Sequence, residues 1–444
     1  MCIRDSIQSI SLRFEYANRK QSTILLKDVR IVEQESDFLL TSDILSRPLD
    51  ESLTTEYQVK VQNVSEQSQS YALNVVRKGW EGFKVSVSPQ NLFLNPGEVA
   101  SVSVKVVGNS YLPAGAHEKH CLQVVPLLRQ EQSREMEFIT VMPVASPFLV
   151  HQEKGWNDVK KKIEQYEWAQ KEFDKYIQTA EKFEVPEVKK GTMSDQGTEG
   201  LVRAYIEGPL FQTAVAWKIS GNKAYGQKVA EMLRRISDPE LGYPRTNHLT
   251  LQGIPQEGGT FEGMIRSYDL IRNSDLLTNK DRAQIEYTFR LFCNNMIDLL
   301  LNDGGISNWT VFNIVPAAQA ALLLHDLDLF NKLMYGPCGI VDQFRYGTMD
   351  DGWWYEVSLS YNIGAAECFT QLIPAARPFG IDLQNMKFPS SLTRKVGLRP
   401  FEFENFLGMS FGKYGPLTSN TIDIKKLWDG ILIYPDYRGV MFGM

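Results

Sequence analysis

The stretch SPFLVHQEKGW, residues 146–156, separates two different patterns of apolar residues. Before it, apolar and polar residues alternate, as in YQVKVQNV at 57–64 and VASVSVKVV at 99–107. After it, WNDVKKKIEQYEWAQKEFDKYIQTAEKF at 156–183 repeats its apolar residues every three or four positions. A period of two is typical of half-buried strands, and the longer period is typical of amphipathic helices. The sequence therefore predicts a multidomain α plus β protein in which a β-region precedes a helical region.

Residues 52–147 carry the period-two pattern in short runs separated by turn signals, of which NPGE at 95–98 is the clearest. Short strands at such spacing favour an antiparallel β-sandwich of immunoglobulin type. The run SISLRFEYA at 9–17 alternates in the same way. It predicts that residues 1–35 are the remnant of a further β-domain. Because this alternation begins almost at once, we expect that the domain is truncated. Since MCIRDSIQSI lacks the apolar segment of a signal peptide, we also expect that any export signal is lost.

The helical pattern fills residues 148–395. Gly221 is suited to a helix end, and Thr278 followed by Asp281 is a capping-box signal. A succession of helices joined by short loops, without intervening strands, predicts stacked helical hairpins. Residues 396–444 contain Gly, Pro and aromatic residues but have poor helical periodicity. We expect there the truncated start of a C-terminal β-domain.

Composition and charge exclude several classes of partner. The formal net charge is -6, so no overall positive field would recruit nucleic acid. No apolar run approaches the roughly 20 residues that span a bilayer. The five cysteines are scattered without a C-x-x-C pair, and no histidines have metal-ligand spacing. The sequence therefore predicts neither a metal site nor a bound cofactor.

Polar and aromatic residues concentrate in two segments of the helical region. The first is GGISNWTVFNIVPAAQAALLL at 304–324, and the second is DDGWWYEVSLSYNIGAAECFTQLIPAARPFGIDL at 350–383. Together they resemble the heparinase II/III-like polysaccharide lyases and their alginate-lyase relatives. In that family an Asn-Trp or Asn-His element precedes a D-G-x-x-x-E-x-S-x-x-Y element. The segment EGGTFEGMIRSYDLI at 257–271 extends the resemblance, which covers roughly residues 147–415 in order.

The resemblance implies an incomplete (α/α) toroid whose helix-end loops line a glycan cleft, in a secreted or periplasmic protein. The implied reaction is β-elimination at a uronic acid, so the implied partner is a uronate-containing polysaccharide or oligosaccharide. Such a reaction must relieve the negative charge of the carboxylate, remove the C5 proton and protonate the leaving oxygen at C4. It needs no water and no metal to accept electrons.

Asn308 and Tyr361 are the candidate catalytic residues. A neutral amide can donate to the carboxylate as it gains enolate character, which suits Asn308 to the first task. Tyr361 matches the tyrosine of the family, and its oxygen could take the C5 proton and return one to the leaving group. Because the ordinary pKa of a phenol is roughly 10, nearby positive charge or donors must favour the phenolate. Alternatively, Asn308 caps the next helix and Tyr361 is half-buried packing.

Other residues are candidates for holding the glycan. Aromatic rings can stack on the apolar faces of sugars or can join the core between helices. These aromatic candidates are Trp309, Trp353, Trp354 and Tyr355. Glu356 is expected to organise the loop or to hydrogen-bond the substrate, and Arg266 to bind a carboxylate or sulfate or to form a structural ion pair. His248 could approach from another loop, because Trp309 stands where alginate-lyase relatives often have His.

Two other functions stay open from the sequence. Asp350, Asp351 and Glu356 could hydrolyse a glycoside by acid and base catalysis, since toroids also carry hydrolases. A noncatalytic glycan-binding protein would use the aromatic residues and release no product. The functions differ in their products, because a lyase forms an unsaturated uronate whereas a hydrolase adds water.

Overall fold

The structure is a computed structural model that describes residues 37–77, 79–188, 206–243, 255–302, 305–349, 352–356, 358–389 and 421–432. The expected β-remnant at 1–35 lies outside these residues, as do His248, Asp350 and Asp351. A sheet-rich region up to Val141 precedes a helical region that begins at Glu153. The predicted α plus β class, with this order, is therefore confirmed.

The strands of the first region form two sheets. They are, in chain order, β1 (Phe38–Thr41), β2 (Ser46–Pro48), β3 (Thr54–Asn63), β4 (Gln69–Arg77), β5 (Lys84–Ser88), β6 (Asn91–Leu94), β7 (Val99–Val107), β8 (His117–Pro126) and β9 (Arg134–Val141). The sheet orders are β1-β3-β7-β5 and β2-β9-β8-β4-β6, and β2 runs parallel to β9 while the other pairs are antiparallel. Because β1 and β2 precede residue 52, the sheets extend N-terminal of the predicted boundary.

The two sheets share one apolar core. Val59 of β3 lies opposite Val102 of β7, and both are fully buried. They belong to the same core cluster as Leu73 and Val124 of the other sheet. Since alternate residues of a strand point to one face, the period-two pattern fills this core. The packed sheets form a sandwich, and its immunoglobulin type stays a prediction.

The second region is helical. Its helices are α1 (Glu153–Gln165), α2 (Glu167–Lys182), α3 (Phe211–Ser220), α4 (Lys223–Ile236), α5 (Pro255–Ile271), α6 (Asn279–Asn302), α7 (Asn308–Leu323), α8 (Leu327–Tyr335), α9 (Ile340–Gly347), α10 (Leu359–Ala376) and α11 (Ile424–Leu432). A π-helical turn at Ile206–Leu210 leads into α3, and the short strands β10 (Phe388–Pro389) and β11 (Thr421–Ile422) pair ahead of α11. Among the described residues, no helix is long and apolar enough to cross a membrane.

Two local signals at helix ends behave as predicted. Gly221 follows α3 with φ 73°, a left-handed conformation that glycine adopts without steric cost. Ahead of α6, the Thr278 N–H donates to Asp281 Oδ2 over 2.8 Å, and the Asp281 N–H donates to Thr278 Oγ1 over 3.1 Å. This reciprocal pair is the predicted capping box.

The helices pack in two rows. In one row α3 contacts α5, α5 contacts α7 and α7 contacts α10. In the second row α4 contacts α6, and α6 contacts α8. The backbones of α5 and α7 approach closely at Gly258, where a Cβ would lie 1.9 Å from Phe312 O. The chain alternates between the rows, as a toroid of helical hairpins requires. Closure into a toroid stays a prediction.

Helix α11 is the longest element of the tail as far as the tail is described, and the β-domain expected at 396–444 stays a prediction. Its buried side chains Ile424, Leu427 and Ile431 join the core of the helical region. Trp428 Nε1 also donates to Thr370 Oγ1 of α10 over 2.9 Å. A helix of nine residues has too few turns for its period to stand out from an irregular segment. Helix α11 therefore packs as part of the helical region.

His325 joins the sheets to the helices. It follows α7, and its buried side chain contacts the rings of Phe148 and Phe379. Its Nε2 accepts the Val144 N–H over 2.8 Å, so this nitrogen carries no proton. Burial, followed by the positive charge of Arg272, lowers the pKa of His325 to about 3. The junction therefore contains a neutral imidazole.

We expect acidification to weaken this junction. The pKa of His325 rises from about 3 in the folded protein to 6.5 when the chain unfolds, so the unfolded chain binds the proton more tightly. The stability that the neutral ring contributes is present above pH 6.5 and is lost as the pH falls toward 3, by up to about 1.4 kcal/mol per pH unit. Thermal midpoints should fall more steeply with acid in the wild type than in His325→Gln, which keeps an acceptor but does not titrate. Parallel curves would contradict this role.

Candidate functional site

Asn308 is the first residue of α7, and its side chain is buried. The residue that caps this helix is Ser307, whose Oγ accepts the Thr310 N–H over 3.1 Å. The capping role that the sequence left open for Asn308 therefore belongs to Ser307. Asn308 Oδ1 accepts the Trp309 N–H over 2.9 Å, and within the described residues its NH2 group has no hydrogen-bond partner and can donate to a ligand.

The loop between α9 and α10 is tied to Asn308. Trp354 Nε1 donates to Glu356 Oε2 over 2.8 Å, and Glu356 also accepts the backbone N–H of Asn308. Burial raises the pKa of Glu356, and these two hydrogen bonds oppose that rise. Glu356 thus makes the loop-organising contacts expected of it. A contact between Glu356 and substrate stays a prediction.

Tyr361 and Asn362 occupy the first turn of α10 and have opposite environments. Tyr361 is 45% exposed, whereas Asn362 is fully buried. Asn362 Oδ1 accepts the Trp354 N–H, and its Nδ2 donates to Leu427 O of α11 over 3.2 Å. Tyr361 is therefore open to a ligand while its neighbour anchors the helix.

The first turns of α7 and α10 lie side by side. A Cβ on Gly364 would lie 3.0 Å from the Phe312 ring, and further along Gln319 Nε2 donates to Gln371 O over 3.0 Å. In both contacts the residue of α10 comes 52 positions after its partner in α7. A constant offset along the chain means that the two helices run parallel. Asn308 and Tyr361 have nearly this offset. The structure therefore brings the two candidate catalytic residues to the same end of neighbouring helices.

The aromatic candidates divide between the surface and the core. Trp309 is 56% exposed and Trp353 is partly exposed, so both keep ring area for a ligand. Trp354 is fully buried and Tyr355 nearly so, which matches the alternative that aromatic rings join the core between helices, and stacking of these two on sugar stays a prediction. The Tyr355 N–H donates to Gly347 O over 2.8 Å, which sets the loop against the end of α9. There the Trp354 ring fills the space beside Gly347, where a Cβ would lie 2.4 Å from it.

Arg266 lies away from the two helix ends. Gly258, near the start of α5, donates its N–H to Asn313 Oδ1 of α7 over 2.9 Å. Arg266 follows two helical turns later, about 12 Å further along α5. It is mostly buried and pairs with Glu262 over 2.6 Å, and burial raises the pKa of Glu262. This is the structural ion pair that the sequence left as the alternative, and a contact of Arg266 with substrate stays a prediction.

Two buried amides that hold this site were not singled out in the sequence. Gln343 of α9 donates to Gly305 O over 2.9 Å and accepts the Ser307 N–H over 3.2 Å, which fixes the segment before Asn308. Asn362 fixes the loop before α10, because its Oδ1 accepts the Trp354 N–H. Gln343 and Asn362 are polar residues on the apolar face of a helix. A polar residue at such a position needs a buried hydrogen-bond partner, and this was the sequence signal that could have identified them. Across the described ranges, no three His, Cys, Asp or Glu side chains group as metal ligands would.

No family model matches the chain, and no curated protein matches it. Among solved structures, the chain is similar to an alginate lyase from Bacteroides ovatus, with 15% identity over 66% of this chain and 84% of that chain and a TM-score of 0.46. It is also similar to a FixG-related protein from Vibrio parahaemolyticus, with 19% identity over 24% of this chain and 95% of that chain and a TM-score of 0.20. The PapD-like domain 7 of human CEP192 has 12% identity, covers 29% of this chain and 99% of its own, and has a TM-score of 0.21. All three TM-scores are below 0.5, so these similarities carry no argument about function.

Proposed function

We propose that this chain is a polysaccharide lyase that cleaves a uronate-containing glycan by β-elimination. The observation that carries the proposal is the position of Asn308 and Tyr361 at the same end of the parallel helices α7 and α10, with Glu356 tied to the backbone of Asn308. The segments that hold these residues are the ones that resemble the heparinase II/III-like lyases. That resemblance also supports a secreted or periplasmic location for the enzyme.

The N-terminal ends of α7 and α10 supply favourable electrostatics. Aligned peptide dipoles leave partial positive charge at the start of each helix, and both helices start at this site. That charge favours a uronate carboxylate beside Asn308.

In the proposed reaction, the Asn308 amide donates to the carboxylate as the carboxylate becomes enolate-like. The Tyr361 oxygen takes the proton from C5, and a double bond forms between C4 and C5 as the C4–O bond breaks. Tyr361 then returns a proton to the leaving oxygen, so no water enters the product. The exposed ring of Trp309, next to Asn308, would stack on a neighbouring sugar.

The experiment that tests this function incubates the purified chain with a panel of uronate polysaccharides. Ultraviolet absorbance reports 4,5-unsaturated uronate, and mass spectrometry reports whether water was added. We expect the absorbance to rise. We also expect the masses of the products of each cleavage to add up to the mass of the substrate, with no water added. Products that contain added water would contradict the lyase and favour hydrolysis by Asp350, Asp351 or Glu356. Binding of glycan without any product would favour a noncatalytic binding protein.

A further inference from the structure

A chain of hydrogen bonds leads from α11 to Asn308. Asn362 Nδ2 donates to Leu427 O of α11 over 3.2 Å, and Asn362 Oδ1 accepts the Trp354 N–H. Trp354 Nε1 donates to Glu356 Oε2 over 2.8 Å, and Glu356 accepts the Asn308 N–H. Asn362 therefore bonds at once to α11 and to the loop that holds Asn308.

Asn362 is suited to this task because it is fully buried and uses both ends of its amide. If either hydrogen bond is removed, the buried partner is left unsatisfied, since water does not reach it. Helix α11 is itself held against α10, where Trp428 donates to Thr370 over 2.9 Å. The helix thus provides a fixed reference from which the loop is positioned.

We propose that Asn362 is a positioning residue and that, through it, α11 is part of the catalytic site. By accepting the Trp354 N–H, Asn362 fixes residues 352–356, and Glu356 in turn places Asn308 relative to Tyr361. The inference rests on the proposed lyase function, in which Asn308 and Tyr361 must reach one sugar. Loss of the Asn362 amide would let the loop move and would change their spacing without altering either residue.

The test compares Asn362→Ala with Asn63→Ala, a matched change in β3. Asn63 is also fully buried, with Nδ2 donating to Leu94 O over 3.0 Å and Oδ1 accepting the Ser65 N–H over 3.0 Å. Since a misplacement of about 1 Å can cost about 100-fold in rate, Asn362→Ala should lower kcat by about 10- to 100-fold with a KM within about threefold of the wild type. Asn63→Ala should lower stability but keep the wild-type kcat, because it lies in the sheet region.

Hydrogen exchange provides a readout that does not depend on activity. In Asn362→Ala, backbone amides of residues 305–312 should exchange faster under conditions in which the variant is folded. The change is then detected in α7 although the substitution is in α10. In Asn63→Ala, exchange should increase in the sheet region and not at residues 305–312.

Unchanged exchange at 305–312 in Asn362→Ala, or an equal loss of kcat in Asn63→Ala, would overturn the inference. A wild-type protein that releases no unsaturated product contradicts the proposed function instead, and the exchange result still decides the link from α11 to Asn308. If Asn362→Ala does not fold, Asn362→Asp replaces it. This variant keeps an oxygen for the Trp354 N–H but removes the NH2 donor to Leu427, so faster exchange is expected in 421–432 and in 305–312.

Discussion

Replacing Tyr361 with Phe should lower the turnover of a uronate glycan by about 1,000-fold or more, while the affinity for the glycan changes by less than about threefold. The substitution removes one hydroxyl from a ring that is 45% exposed, so the fold should be unaffected. In the proposed reaction this hydroxyl removes the C5 proton and protonates the leaving oxygen, so both proton transfers are lost. Turnover is measured by the absorbance of the unsaturated product, and affinity is measured by calorimetry.

Tyr335→Phe is the matched control for this prediction. Tyr335 is 60% exposed at the end of α8, in the other row of helices. The control should keep the turnover of the wild type. Full turnover in Tyr361→Phe would exclude proton transfer by Tyr361 and would make Glu356 the next candidate for the acid or base.

Replacing Gly352 with Ala should lower the free energy of unfolding by about 2–5 kcal/mol, because two penalties add. Gly352 has φ 94°, a conformation that strains any residue with a Cβ. A Cβ there would also lie 2.2 Å from Lys426 O, a backbone atom of α11. Either the loop or α11 must then move, and the contacts of Trp354 and Asn362 would move with it. Denaturant unfolding measures the loss of stability.

Substitutions at two other glycines measure the backbone strain and the steric contact separately. Gly221 has φ 73° with nothing within 4 Å of the added Cβ, so Gly221→Ala should cost only the backbone strain of about 1–2 kcal/mol. Gly430 of α11 tests the contact alone, since its Cβ would lie 2.9 Å from Gly352 O. Both changes should destabilise less than Gly352→Ala. Equal losses in Gly352→Ala and Gly221→Ala would show that the loop does not press against α11.

Much of the secondary structure could be predicted because it depends on neighbours in the chain. Alternation placed Val59 and Val102 on the buried faces of β3 and β7. The Thr278 and Asp281 pair is a contact between residues three positions apart, and Gly221 needs only its own backbone freedom. Such interactions are local, so they can be read without knowledge of the fold.

The candidate site could be predicted only in part. The motif segments singled out Asn308 and Tyr361, and α7 and α10 do bring these residues to one end of the helical region. The same segments did not separate Trp353 from Trp354, although one is partly exposed and the other is fully buried. Which ring lies inside depends on the space beside Gly347, a contact made by packing and not by composition.

The sequence by itself determined that strands precede helices, where several elements end, and which two segments hold the candidate catalytic residues. Only the tertiary structure decided that Ser307 caps α7, that Arg266 belongs to an ion pair, and that α11 contacts Asn362. The contact between Asn362 and Leu427 joins residues 65 positions apart. Periodicity reports which face of an element is apolar, but it does not report which distant element covers that face. The partners of buried polar groups are therefore decided when the helices pack.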